Sequence, residues 1–227
     1  MEKICELKKP YIKVGQTYGG SQSFFAGAKG FFEKRKEKAG CGIVAMSDVL
    51  GYLLGKTEYT DSSEYKLYFN SMVRRILWIP NRFGMSIYRI MFLFPLLLKK
   101  AGLSLNCRWG ISGRKLPLRI EEMIRNDIPV ILNVPKLSIP PKNRRDKLNF
   151  YILRDVEGSE PVLTRGASTA AHFVVVTGVF REGDKTYYQI SSWGKKYYID
   201  ADEFAAFTKK TLLGGVLGNI LYIRKTG

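Results

Sequence analysis

The chain has 227 residues, 45% of them hydrophobic and 25% charged, which is typical of a globular protein long enough to bury a core in one domain. Its three cysteines, Cys5, Cys41 and Cys107, are far apart and argue against a disulfide framework or a paired-cysteine metal site, which favours a reducing, cytoplasmic location. The charged N-terminus lacks the apolar run of a signal peptide, so we expect no export by that route.

The charge balance is strongly basic, because Lys and Arg number 37 against 20 Asp and Glu, a formal net charge of +17. Short basic clusters of this kind are most typical of a solvated basic surface, and the alternative is an anionic macromolecule, nucleic acid or membrane surface as a partner. No zinc-finger spacing, ribonucleoprotein aromatic motif or helix-turn-helix pattern accompanies the charge, so we predict no standard nucleic-acid module.

Residues 11–30 are rich in glycine, serine and aromatic side chains and are predicted to form a loop. This loop carries two glutamines, Gln16 and Gln22. An amide between glycines can donate to an oxyanion, or it can bond its own backbone as a turn residue.

The glycine-flanked Cys41 precedes apolar residues spaced three and four apart, so a buried helix is predicted to begin at this cysteine. The N–H groups and positive end of a helix favour a thiolate, which is what a cysteine nucleophile needs. The alternative is a small hydrophobic cysteine packed at a helix start.

Two further helical segments are predicted over 65–78 and 85–100. The second is the most apolar part of the chain, but its uninterrupted apolar run between Arg89 and Lys99 contains Pro95 and has nine residues, whereas a membrane-spanning helix needs about twenty. We therefore expect a buried helix, or an amphipathic element resting on a membrane or a partner.

The rest of the chain is mostly β-rich. A helix over 118–127 leads into a strand over 128–134, followed by a surface loop over 135–147 and a short strand over 150–153. Residues 171–180 and 186–191 form a predicted hairpin, and further sheet residues, a short helix over 201–207 and a last strand over 220–223 complete the chain. These elements predict a single α+β domain with a helical half over about 1–125 and a β-rich half over about 126–227.

His172, the only histidine, begins the first strand of the hairpin. A histidine-based metal site is therefore not expected, and we predict no metal or other cofactor. A lone histidine at a strand end is often structural, but His172 and Cys41 together make the two members of a thiol–imidazole pair. Their separation of 131 residues is compatible with papain-type enzymes.

Five segments in this order resemble a papain-fold cysteine peptidase, most closely the bacterial group related to the peptidases that trim bacteriocin leaders. The matching segments are Gly20–Phe24, Gly40–Gly42, Ile128–Ile131, His172–Gly178 and Ser191–Gly194. The resemblance implies a papain-like fold in which a nucleophile-bearing central helix packs on a C-terminal antiparallel sheet.

The resemblance also implies roles for individual residues. Cys41 attacks a carbonyl, His172 takes and returns the proton, and a glutamine side chain with the Cys41 backbone N–H holds the oxyanion. That glutamine usually stands six residues before the cysteine, where this chain has Arg35, so Gln22 is the first choice and requires residues 26–38 to loop away. Gln16 is the weaker alternative.

The residue that orients the histidine is usually an asparagine or aspartate, and here its position is occupied by Ser191. A serine hydroxyl stabilises an imidazolium less than a carboxylate does, so Gln189, Asp200 and Asp184 are alternatives. Trp193 would cover this hydrogen bond. The predicted function is hydrolysis of a peptide or other amide through an acyl-enzyme. The alternative is a catalytically inactive papain-fold protein that binds an anionic partner through its basic surface.

Overall fold

The computed structural model describes residues 1–27, 29, 31–75, 85–111, 113–136, 146–156, 159–210 and 213–225. The fold is mixed α+β, with helices packed on a large antiparallel sheet. The helices are α1 (Phe31–Ala39), α2 (Cys41–Leu53), α3 (Ser62–Arg75), α4 (Ile87–Lys100), α5 (Leu116–Arg125), α6 (Ala201–Lys209) and α7 (Gly214–Leu217). The strands are β1 (Glu2–Glu6), β2 (Lys13–Val14), β3 (Thr17–Tyr18), β4 (Glu58–Tyr59), β5 (Leu105–Trp109), β6 (Val130–Val134), β7 (Leu148–Val156), β8 (Ser159–Thr169), β9 (His172–Glu182), β10 (Lys185–Ser192), β11 (Lys195–Asp200) and β12 (Ile220–Lys225).

The main sheet contains nine strands in the described part of the chain. Eight follow the order β5-β12-β6-β9-β10-β11-β7-β8, and β1 pairs with β9. The strands β3, β2 and β4 form a second, small sheet. Because β1 and β5 come from the N-terminal half, both halves of the chain contribute to the main sheet.

Strand β9 lies at the centre of the core. Its first eight residues are buried, and both α2 and α5 pack against it. The apolar residues that predicted α2 are fully buried at Ile43, Met46, Val49 and Leu50, because their spacing puts them on the side that faces the core. This packing fixes the start of α2, and therefore Cys41, against the sheet.

Most predicted elements are present. The helix at Cys41, the apolar helix α4, the helix–strand pair α5–β6, the β9–β10 hairpin, the short helix α6 and the last strand β12 all form close to their predicted ranges. The helix predicted over 65–78 is present as α3 up to Arg75, and its last three residues lie outside the described residues. Most of the loop predicted over 135–147 also lies outside them.

Several elements were not predicted. Residues 31–38, expected as part of a loop, belong to α1, and the polar region after residue 155 forms β8, which pairs with β7. Strands β1 and β5 are short and carry charged residues, so their apolar signal is weak, and backbone pairing with β9 and β12 is what holds them. None of the described helices is both long and apolar enough to cross a membrane.

Candidate active site

Two glycines fix the backbone on either side of Cys41. A Cβ atom on Gly40 would lie 2.3 Å from the Lys36 carbonyl oxygen, and one on Gly42 would lie 2.6 Å from Met85 Cβ. Neither position therefore has room for a side chain without movement of its surroundings. The glycines that flank Cys41 thus allow close packing of α1, α2 and the segment before α4.

The Cys41 thiol is held at the first turn of α2. Burial raises its pKa above the usual value, although backbone hydrogen bonds at Phe173, Gly42 and Cys41 itself act in the opposite direction. The prediction that the helix start lowers this pKa is not met, because loss of water around the sulfur outweighs the backbone N–H groups. Burial thus favours the neutral form of the Cys41 thiol.

His172 begins β9, and its ring is fixed on two sides. Its Nε2 atom lies 2.9 Å from Ser192 Oγ, and the imidazole stacks on the Trp193 indole with ring centroids 4.5 Å apart and 23° between the planes. Burial lowers the His172 pKa to about 3, so the imidazole is neutral near neutral pH. Burial therefore favours the neutral form of both the Cys41 thiol and the His172 imidazole.

The hydroxyl beside the imidazole belongs to Ser192, one residue after the predicted Ser191. Ser191 Oγ instead donates to the Tyr18 carbonyl oxygen at 3.0 Å. Alternation along the strands explains the difference. Ile190 pairs with Val176, so Ser192 and His172 fall on the same face, whereas Ser191 falls on the other.

The other predicted orienting residues have different partners. The Gln189 amide donates to Glu6 and Thr177 at 3.1 and 3.0 Å. Asp200 caps α6 and pairs with Lys185 at 3.1 Å. Asp184 lies in the turn between β9 and β10, at the opposite end of β9 from His172.

Trp193 covers the imidazole as predicted, and the backbone holds it there. Trp193 and Gly194 form the two-residue turn between β10 and β11, with φ angles of 49° and 74°. Positive φ at both positions is the geometry of a type I′ hairpin turn, which strongly favours residues such as Asn and Gly. A tryptophan in the left-handed region costs about 1 kcal/mol, and its stacking on His172 offsets this cost.

Gln22, and not Gln16, lies beside the thiol. Gln22 lines a small cavity of about 20 Å³, room for about one water, together with Cys41, His172 and Ser192. Its Oε1 atom is buried and has no hydrogen-bond partner in the described structure. Gln16 lines a separate groove on the N-terminal segment. The helix α1 lies between Gln22 and Cys41 in sequence, where a loop was predicted.

Asp48 is a buried residue of the site that was not predicted. It lies two turns after Cys41 on α2, lines the same small cavity, and accepts hydrogen bonds from Gly20 N at 2.9 Å, Tyr65 Oη at 2.6 Å and Tyr11 Oη at 3.2 Å. Burial raises the Asp48 pKa to about 6. An acidic residue within an apolar helix was the available signal, because such a group is rarely buried without a specific role.

The Asp48 and Ser191 contacts together hold the segment that carries Gln22. Asp48 binds the Gly20 N–H, two residues before Gln22, and Ser191 binds the Tyr18 carbonyl. Between them Gly19 has φ 81°, and a Cβ there would lie 2.0 Å from Ser191 Oγ. Ser191 therefore lines the small cavity, but its hydroxyl binds this segment and not the imidazole.

An open cleft of about 430 Å³ lies beside the small cavity, and both Cys41 and His172 line the two spaces. The cleft has apolar walls at Met85, Tyr88 and Phe173 and a basic side chain at Lys38. The two spaces therefore meet at Cys41 and His172, and Gln22 lines the small cavity but not the cleft. Neither the comparison with models of known protein families nor the search of curated proteins finds a match to this chain.

Proposed function

We propose that the protein is a papain-like thiol hydrolase that cleaves a peptide or other amide bond through an acyl-enzyme. The observation that carries the proposal is the convergence of Cys41, His172 and Gln22 on one cavity beside an open cleft. A helix that begins at the cysteine, packed on an antiparallel sheet that supplies the histidine, supports the papain-like assignment.

Ser192 selects the ring nitrogen that acts as the base. When the Nε2–H of His172 donates to Ser192 Oγ, the lone pair is on Nδ1, which is the nitrogen left for the thiol proton. As Cys41 Sγ bonds to the substrate carbonyl carbon, Nδ1 takes the thiol proton and the carbonyl oxygen becomes an oxyanion. Collapse of this intermediate breaks the C–N bond, and the same proton leaves with the amine. Water then attacks the thioester, gives one proton to Nδ1, and Cys41 recovers its proton as the acid is released.

Because burial favours the neutral forms of the Cys41 thiol and the His172 imidazole, proton transfer is part of the first chemical step. Thiol deprotonation has to accompany attack, because burial disfavours both the free thiolate and the imidazolium. Stabilisation of the oxyanion by the Gln22 side-chain amide and the Cys41 backbone N–H is then a large part of the rate acceleration. A serine beside His172 contributes orientation and little charge stabilisation.

A peptide-cleavage assay tests the proposed function. The wild-type protein is incubated with a mixture of synthetic peptides, and cleavage products are identified by mass spectrometry. We expect cleavage to be lost in Cys41→Ala and in His172→Ala and retained in Cys107→Ala, the matched control. Equal cleavage by wild type and Cys41→Ala would contradict the proposal.

A groove on the N-terminal segment supports a second candidate function, binding of an anionic partner without catalysis. This groove, of about 670 Å³, is lined by five lysines and two acidic residues: Lys3, Lys8, Lys9, Lys13 and Lys196, with Glu6 and Glu58. Binding to single-stranded nucleic acid that falls steeply with salt and is unchanged in Cys41→Ala, together with no peptide cleavage, would favour this function.

A further inference from the structure

Helix α4 presents an apolar stripe to the outside of the protein. The stripe consists of four side chains spaced three and four residues apart, with exposed fractions of 76% for Tyr88, 38% for Met91, 71% for Phe92 and 44% for Leu96. The opposite side of α4 is in the core, where Ile90 and Phe94 are fully buried. The helix therefore has two apolar sides, and only one of them is covered. We call the exposed stripe the α4 outer face.

Basic side chains accompany this apolar stripe. Arg89, Lys99 and Lys100 are exposed on the same helix, and α4 contains no acidic residue. The chain as a whole carries a net charge of +17, so the rest of the protein does not neutralise the positive charge of α4. Aromatic and aliphatic side chains beside exposed cations are what an amphipathic helix uses at an anionic lipid surface.

The N-terminal end of α4 also borders the candidate active site. Ser86, Ile87 and Tyr88 line the cleft in which Cys41 and His172 lie. Tyr88 belongs to both the cleft and the α4 outer face, so the two surfaces are continuous. A surface in contact with α4 would lie directly at the opening of the cleft.

We propose that the α4 outer face docks on an anionic lipid bilayer and brings the cleft to the membrane surface. Two contributions would favour membrane binding: insertion of apolar side chains at the headgroup boundary and attraction of the cations to anionic lipids. Stable attachment to a membrane usually needs two such contributions. An exposed apolar stripe with cations on the same helix, on a chain with a net charge of +17, fits an extended negative surface better than a single acidic partner protein. The docking stands apart from the proposed hydrolase activity. If that activity is correct, the docking further implies substrates held at the lipid surface.

Vesicle flotation with the full-length Cys41→Ala protein tests the docking without depending on catalysis. The probes are phosphatidylcholine vesicles with and without phosphatidylglycerol. We expect binding to the anionic vesicles only, weakened as salt is raised. Tyr88→Ser combined with Phe92→Ser should lower the partition coefficient on the order of tenfold. The matched control is Leu67→Ser on α3, a side chain 73% exposed, which should leave binding within about twofold.

The contribution of charge to vesicle binding is tested with two matched charge-reversal variants. Lys99→Glu with Lys100→Glu should weaken anionic-vesicle binding more than Lys209→Glu with Lys210→Glu, an exposed pair at the end of α6 that changes the net charge equally. Because the control also breaks the ion pair of Lys210 with Asp146 at 3.1 Å, Lys209→Glu and Lys99→Glu are compared as single variants too. Each variant is first checked for an unchanged thermal transition. Equal vesicle binding by the α4 variants and the control variants would overturn the proposal, as would equal binding of the protein to neutral and anionic vesicles. It would also be overturned if the protein bound no vesicles and instead formed a dimer that Phe92→Ser disrupts.

Discussion

His172 Nε2 lies 2.9 Å from Ser192 Oγ. In the proposed mechanism the Nε2–H donates to this hydroxyl, so that Nδ1 is the nitrogen that takes the Cys41 proton. Ser192→Ala should therefore lower the rate of Cys41 acylation by p-nitrophenyl acetate on the order of 10-fold to 100-fold, because the imidazole loses its fixed tautomer. Ser192→Thr, which keeps the hydroxyl, should recover most of the rate. Ser191→Ala is the matched control and should act mainly on stability, by about 1 kcal/mol, through its lost bond to Tyr18. A larger decrease in acylation rate for Ser191→Ala than for Ser192→Ala would contradict this assignment.

Gln22 and Gln16 form a second matched pair. Gln22→Ala should reduce the acylation rate on the order of 10²-fold, because the oxyanion loses a side-chain donor. Gln16→Ala should leave the rate nearly unchanged, since Gln16 lines a different groove. Stopped-flow release of nitrophenolate measures both. If the two substitutions changed the acylation rate equally, the assignment of Gln22 as the oxyanion donor would be contradicted.

The thiol–imidazole pair predicts an unusual pH dependence of alkylation. Because burial raises the Cys41 pKa and lowers the His172 pKa to about 3, the rate of iodoacetamide labelling should rise continuously with pH through the neutral range. Peptide mapping by mass spectrometry follows Cys41 separately from Cys107. A plateau of fast labelling at mildly acidic pH would indicate a preformed ion pair and contradict the neutral state.

Asp48 links stability to pH. Its folded pKa is raised from 3.8 to about 6, so between these values the folded state holds more protons than the unfolded state and the free energy of unfolding falls as pH rises. The loss attributable to Asp48 should reach about 3 kcal/mol by pH 7. Asp48→Asn should lack this dependence, which urea denaturation across the range measures against wild type. Parallel curves for the two proteins would show that Asp48 does not titrate in this window.

Local patterns account for the parts of the site that the sequence predicts. The spacing of apolar residues after Cys41 indicates a buried helix because helix periodicity depends only on neighbouring residues. His172 is identifiable because the chain offers no other histidine. The apolar content of 173–176 places it at the start of a central strand, where the structure has β9.

Contacts between distant segments decide the parts that the sequence does not predict. Whether Ser191 or Ser192 reaches the imidazole depends on the register of β10 against β9, which shifts between Gln189 and Ile190. Asp48 acquires its role only when Tyr11, Gly20 and Tyr65 come together around it. The direction of the Cys41 pKa shift likewise depends on burial, which a one-dimensional pattern does not report.

The central claim is that Cys41 is a nucleophile assisted by His172. The most direct test is to find which residue becomes acylated and whether the rate of acylation depends on His172. The protein is treated with p-nitrophenyl acetate, and the acetylated residue is located by mass spectrometry. The account predicts a burst with one acetyl group on Cys41, greatly slowed in His172→Ala, with Cys5 and Cys107 unmodified on the same time scale. Slow, similar acetylation of all three cysteines that is unchanged in His172→Ala would contradict it.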